Sequence, residues 1–156
     1  MDLPPDELAG VVDLFGSLTS AELVDACGEL AFKQGIDADP DAVAAAIDGA
    51  IDSYHLVAVD DHAADTDETL LVVGPVAFPA LPDGAADLPH IMDVPARDLA
   101  RDAVIEAVKA RFREDAVMAV KNGDEDRVET LLDVSYDIEA WENVEMDGLR
   151  DRLDDV

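Results

Sequence analysis

The stretch LTSAELVDACGELAFKQGIDADPDAVAAAIDGAIDSYHLVAVDDHAADTDETLLVVGPVAFPAL, residues 18–81, decides how the rest of the chain is read. Thr19 with Glu22 three residues on makes a capping box, and Leu18 with Leu23 a hydrophobic staple, so a helix starts here. Leu23, Ala26, Cys27, Leu30 and Ala31 fall on one face of that helix, and Lys33-Gln34-Gly35 ends it with a glycine in the left-handed cap position. Asp39-Pro40 then reads as the N-cap and first residue of another helix, whose inward stripe is Val43, Ile47, Ala50, Ile51 and Tyr54. His55-Leu56-Val57-Ala58-Val59 and Thr69-Leu70-Leu71-Val72-Val73 are β-prone runs on either side of the polar loop 60–68, which predicts an antiparallel hairpin.

Upstream, Pro4 and Pro5 precede Asp6-Glu7, acids that suit the positive end of a helix dipole, and apolar residues recur at Leu8, Val11, Val12, Phe15 and Leu18. Three helices followed by a hairpin is the order of a winged helix-turn-helix, here over residues 4–82. The helix from Pro40 stands in the place of a recognition helix, and the hairpin is the wing. Gly74-Pro75, Pro79, Pro82, Asp83-Gly84 and Pro89 then punctuate an irregular connection, residues 83–94, expected to wrap over the domain surface.

From Pro95 to Lys121 a long helix follows, with Val104, Ile105, Val108, Phe112, Ala116 and Ala119 on one face and Asn122-Gly123 as its stop. It would reach about 40 Å, more than its own small domain needs, so this extension, residues 95–156, packs on the domain or on a partner. Asp124 caps a further helix carrying Val128, Leu131 and Leu132; Tyr136, Ile138, Trp141 and Val144 alternate loosely before a last helical turn from Leu149 to Leu153. The fold class is therefore mainly α with a small antiparallel β-hairpin: a winged helix-turn-helix-like domain plus a C-terminal helical extension.

Charge is the dominant compositional feature. The 156 residues hold 38 Asp and Glu against 10 Lys and Arg, a net charge of -28. At a Debye length of roughly 8 Å so many like charges push a compact state apart, whereas at about 1 M salt the length falls to roughly 3 Å. The acids run from Asp2 to Asp155 and interleave with periodic apolar residues, which favours a folded domain built for molar salt over a disordered acidic tail. Cys27 is the single cysteine and falls on an apolar face, so no disulfide framework is expected. The N-terminus has no basic n-region and the longest uncharged run, Thr69 to Pro82, is too short to span a bilayer, so a soluble, cytoplasmic protein is expected.

Three segments, Leu3-Pro4-Pro5-Asp6-Glu7-Leu8-Ala9-Gly10-Val11-Val12-Asp13-Leu14-Phe15, Leu30-Ala31-Phe32-Lys33 and Asp87-Leu88-Pro89-His90-Ile91-Met92-Asp93, resemble an uncharacterised protein family of halophilic archaea. The resemblance covers most of the chain and implies a habitat, with no activity attached.

DNA binding is the activity that a winged helix raises first, and phosphate contacts need Lys or Arg. Between Gln34 and Ala96 there is none; the recognition position offers Asp41, Asp48 and Asp52, and the wing Asp60, Asp61, Asp65, Asp67 and Glu68. Basic residues gather instead at Arg97, Arg101, Lys109, Arg111 and Arg113, where Asp98, Glu106 and Asp115 stand at ion-pair spacing. His55, His62 and His90 match no metal-ligand spacing, and no nucleophile or phosphate-loop motif occurs, so neither a cofactor nor an enzyme is expected. The expected function is a non-catalytic protein-interaction module whose partner is a protein, with a second copy docking through the 95–121 helix as one candidate. Phe112, Arg101 and Trp141 are the candidate interface residues. The alternative is a dimeric transcriptional regulator that touches DNA through Arg97, Arg101 and Arg113.

Overall fold

A computed structural model describes residues 3–60, 69–95, 99–142 and 150. The chain divides into two compact units, Met1–Ala100 and Arg101–Val156.

In the first unit, helix α1 (Pro5–Phe15) starts with proline at its first position and acids in its first turn, and stops at Gly16 with φ 83°. A two-residue strand β1 (Leu18–Thr19) leads into α2 (Ser20–Lys33). The capping box is present as read: the Glu22 N–H donates to Thr19 Oγ1 at 3.1 Å, and the Thr19 N–H donates to Glu22 Oε1 at 2.9 Å. Helix α3 (Pro40–Asp52) is capped by Asp39, whose carboxylate accepts the Asp41 N–H at 3.1 Å. Strands β2 (Leu56–Val59) and β3 (Leu70–Val73) form the expected hairpin, with Leu56 opposite Val73 and Val59 opposite Leu70.

The fold is mainly helical with a small antiparallel sheet, and the sheet has one strand more than the hairpin. β1 pairs with β3, Leu18 opposite Leu71 and Thr19 opposite Leu70, giving the order β1-β3-β2. Two residues leave no alternation for a sequence reader to detect, so this strand is set by its partner. Leu18, Leu23, Leu30, Ile47, Leu56 and Leu71 meet Leu8, Val11 and Val12 of α1 in one buried cluster.

The connection 83–94 does more than cover this core. Ala85–Asp87 forms a 3₁₀ turn and Leu88–Ile91 a single helical turn, α4, and both Ala85 and Leu88 are fully buried in the cluster. Elements this short carry no period, which is why the proline- and glycine-rich sequence reads as irregular. Just before them the chain passes over α1: the Ala80 N–H donates to the Asp6 carbonyl at 3.0 Å, and the Phe78 N–H to Asp6 Oδ1 at 3.0 Å.

Among the described residues of the second unit, α5 (Arg101–Asn122) and α6 (Glu125–Glu142) form a pair, turned at Gly123 with φ 62°. The long helix begins at Arg101 rather than Pro95, so its 22 residues span about 33 Å. Asp124 caps α6 by accepting the Arg127 N–H at 3.1 Å. Tyr136, Ile138 and Trp141, read as loosely alternating, continue that helix. Val144 and the Leu149–Leu153 turn lie outside the described residues, Arg150 excepted.

A Cβ at Gly10 would stand 2.1 Å from the Ala80 carbonyl oxygen, and backbone cannot swing aside as a side chain can. Gly10→Ala is therefore expected to lower the denaturant midpoint, by about 1–3 kcal/mol of stability, with the slope unchanged.

Candidate functional site

The surface that would read a nucleic acid in a winged helix is the outward face of α3. Val43, Ile47 and Ala50 turn inward, which leaves Asp41, Ala42, Ala44, Ala45, Asp48, Gly49 and Asp52 exposed. That face has no donor-bearing side chain that reaches a base edge and no cation for a phosphate. The wing residues Asp61, His62, Asp65, Asp67 and Glu68 lie outside the described residues. Lys33 is the one Lys or Arg before Arg97, and it is used internally. Its ammonium donates to the Gly84 carbonyl at 3.2 Å and meets Asp87 Oδ2 at 3.2 Å, tying the end of α2 to the 3₁₀ turn.

The basic residues of α5 do not form one patch. Arg97 lies outside the described residues. Arg101 and Arg113 stand twelve positions apart, about 18 Å along the axis and a third of a turn round it. The Arg101 guanidinium sits over the Trp141 ring, 4.7 Å from its centroid, joining the start of α5 to the end of α6. Arg111 pairs with Asp115 at 3.0 Å as its spacing predicts, and Arg127 of α6 reaches the same carboxylate at 3.2 Å. Glu106 and Lys109, also spaced to pair, make no ion pair among the described residues.

The three candidate interface residues are placed by the packing of this chain itself. Phe112 is fully buried, in line with Val104, Val108, Ala116 and Ala119, so it is a core side chain and offers a partner nothing. Trp141 is half-buried beneath Arg101. A helical period identifies the apolar face of α5 but cannot tell whether that face meets the next helix of the same chain or another molecule.

Two arrangements carried no sequence signal. Arg150 lies 4.5 Å over the Tyr136 ring centroid, donates to Glu139 Oε1 at 2.6 Å and reaches Ser135 Oγ at 3.3 Å. In the first unit Ser53 Oγ lies 2.6 Å from His55 Nδ1, and His55 Nε2 lies 3.7 Å from Asp6 Oδ1. A serine, histidine and carboxylate in contact suggest a nucleophile, but Ser53 Oγ also donates to the Ala50 carbonyl at 3.2 Å. The serine hydroxyl thus ties the end of α3 to His55 at the start of the hairpin. Among the described residues no three His, Cys, Asp or Glu side chains group to hold a metal ion, and His62 lies outside them.

These features define a strongly acidic, mainly helical protein whose first unit carries a small three-stranded antiparallel sheet. The chain belongs to the family of unknown function DUF7109, which it matches over residues 6–156. No curated protein and no solved structure matches it. Among the described residues no helix is long and apolar enough to cross a membrane.

Cys27 is fully buried, and burial pushes its thiol up from an ordinary value of 9.0 to about 12. A disulfide-exchange reagent at pH 8 is therefore expected to leave the folded chain unlabelled and to label one thiol once denaturant is added. The unfolded thiol ionises first, so its contribution to stability is intact below pH 9 and is lost as pH rises toward 12.

Proposed function

We propose that this protein is a non-catalytic protein-interaction module, adapted to the cytoplasm of a halophile, in which a winged-helix-like unit presents a face that nucleic acid does not bind. The observation that carries this reading is the composition of the exposed α3 face, which after Pro40 is Asp, Ala and Gly. A polyanion approaching it meets like charge and finds no donor for base edges; screening removes the repulsion but supplies no attraction. Small side chains on a helix permit close approach of another polypeptide backbone, and carboxylates suit a partner with Lys or Arg at its rim.

The geometry of α5 weighs against the regulator reading. Arg101 is engaged with Trp141, and Arg113 faces a different direction, so no two of the described candidate contacts share a groove-sized patch.

The test is retention on sheared genomic DNA in roughly 2 M potassium chloride, a concentration at which the chain's self-repulsion is screened. No selective retention is expected from protein whose circular dichroism is helical in that salt. Selective retention lost on Arg113→Glu would replace this reading with the regulator. In the same samples the thermal midpoint is expected to rise steadily as potassium chloride goes from about 0.1 to about 2 M, because the Debye length shortens from roughly 10 Å to below 3 Å.

A further inference from the structure

The outward face of α5 differs from the rest of the chain in charge. Half of the ten Lys and Arg residues sit on this helix, five against four carboxylates, in a chain that carries -28. Glu106, Ala110, Arg113, Val117 and Lys121 recur at intervals of three and four residues opposite the buried row of Val104, Val108, Phe112 and Ala119. All five are exposed, as is Glu114 beside them. Val117 and Met118 are 49% and 53% exposed, large apolar side chains in water on a helix that already has a buried face. Glu106, Arg113, Glu114 and Lys121 make no ion pair among the described residues, whereas Arg111 and Asp115, toward the α6 side, do.

We propose that this face pairs antiparallel with the same face of a second copy of the chain, about a twofold axis lying between Arg113 and Glu114. The proposal deepens the interaction-module reading, on which it rests, by naming the partner. In that register Arg113 stands opposite Glu114 of the partner subunit, Glu106 opposite Lys121 of the partner subunit, and Ala110 opposite Val117 of the partner subunit. The twofold repeats each pair, so four charge pairs and two apolar contacts line one seam. The opposite direction is disfavoured: helices laid parallel in register set Arg113 against Arg113 of the partner subunit and Glu106 against Glu106 of the partner subunit. Charge complementarity and the exposed Val117 select the same occupant. Two chains of -28 repel at long range, so the seam closes only where salt screens the remainder of the surface.

The experiment is sedimentation equilibrium of the full chain in roughly 2 M potassium chloride, from about 1 to about 100 µM. The variants are Arg113→Glu, Glu114→Arg and the double exchange of both; they alter exposed positions within a helix, and far-UV circular dichroism checks that helicity is kept. The wild type is expected to dimerise, each single reversal to weaken the dimer about tenfold or more, and the double exchange to restore it. A wild type that stays monomeric over the whole range, or a dimer indifferent to the single reversals, overturns the proposal. Failure here is separable from failure of the broader reading. A monomer that ignores DNA removes only self-pairing, whereas selective DNA retention removes the interaction module whatever mass is found.

Discussion

Like-charge repulsion is the constraint under which every other feature of this protein operates. With 38 carboxylates and 10 cations, few ion pairs can form, and most of the surface repels itself unless ions stand between its parts. Cohesion must then come from apolar packing and from hydrogen bonds that need no cation. The cluster around Leu8, Leu18, Leu23, Leu30, Leu56 and Leu71 supplies the first. The second is supplied by Asp39 and Asp124, whose carboxylates cap helices, and by Asp6, which holds the Phe78 N–H. Acidity is thus put to structural use at helix N-termini, where the dipole and the unpaired N–H groups favour negative charge.

The few cations show the same economy. Lys33 and Arg150 each reach two acceptors, Arg127 reaches across to Asp115, and Arg101 covers an aromatic ring. Lys33 binds the end of α2 to the segment whose Ala85 and Leu88 complete the core. Exposed ion pairs contribute little to stability, about 0–1 kcal/mol. Their value here is positional: each ties together segments distant in sequence, so the loss of one loosens a junction more than it lowers the total.

Much of the first unit was legible because its signals are local. The capping box at Thr19 and Glu22, the Asp39-Pro40 start, the glycine stop at Gly35 and the β-prone runs all act within a few residues, and each appears where it was read. β1 was not legible, because Leu18 and Thr19 become a strand only by pairing with Leu71 and Leu70 of a chain segment fifty residues away. The same residue, Thr19, caps α2 with its side chain and extends the sheet with its backbone, and only the first role leaves a mark in sequence. The short turns at Ala85–Asp87 and Leu88–Ile91 were hidden by proline and glycine, which suit a tight turn as well as a loop. At the candidate interface the apolar row of α5 lies where its period placed it. Phe112 is spent on the chain's own core, and the informative side of the helix is the one that the hydrophobic period leaves out.

That side departs from the logic of the remainder of the protein. An acidic surface binds water and salt ions and is hard to dehydrate, so it is a poor place for a tight contact unless the partner supplies the missing cations. A row in which Glu106 and Glu114 are matched by Arg113 and Lys121 can exchange water for a like surface, because every charge finds an opposite one. In ordinary salt the net charge of each chain would overwhelm such a seam; once screened to a few ångströms, contacts at van der Waals distance outlast repulsion from groups farther off. Under the proposed pairing, the ionic condition that screens the chain's self-repulsion also decides which of its faces is adhesive. In the proposed pairing the acidic face of α3 keeps its water, and the face of α5 that carries charges of both signs is the one that closes.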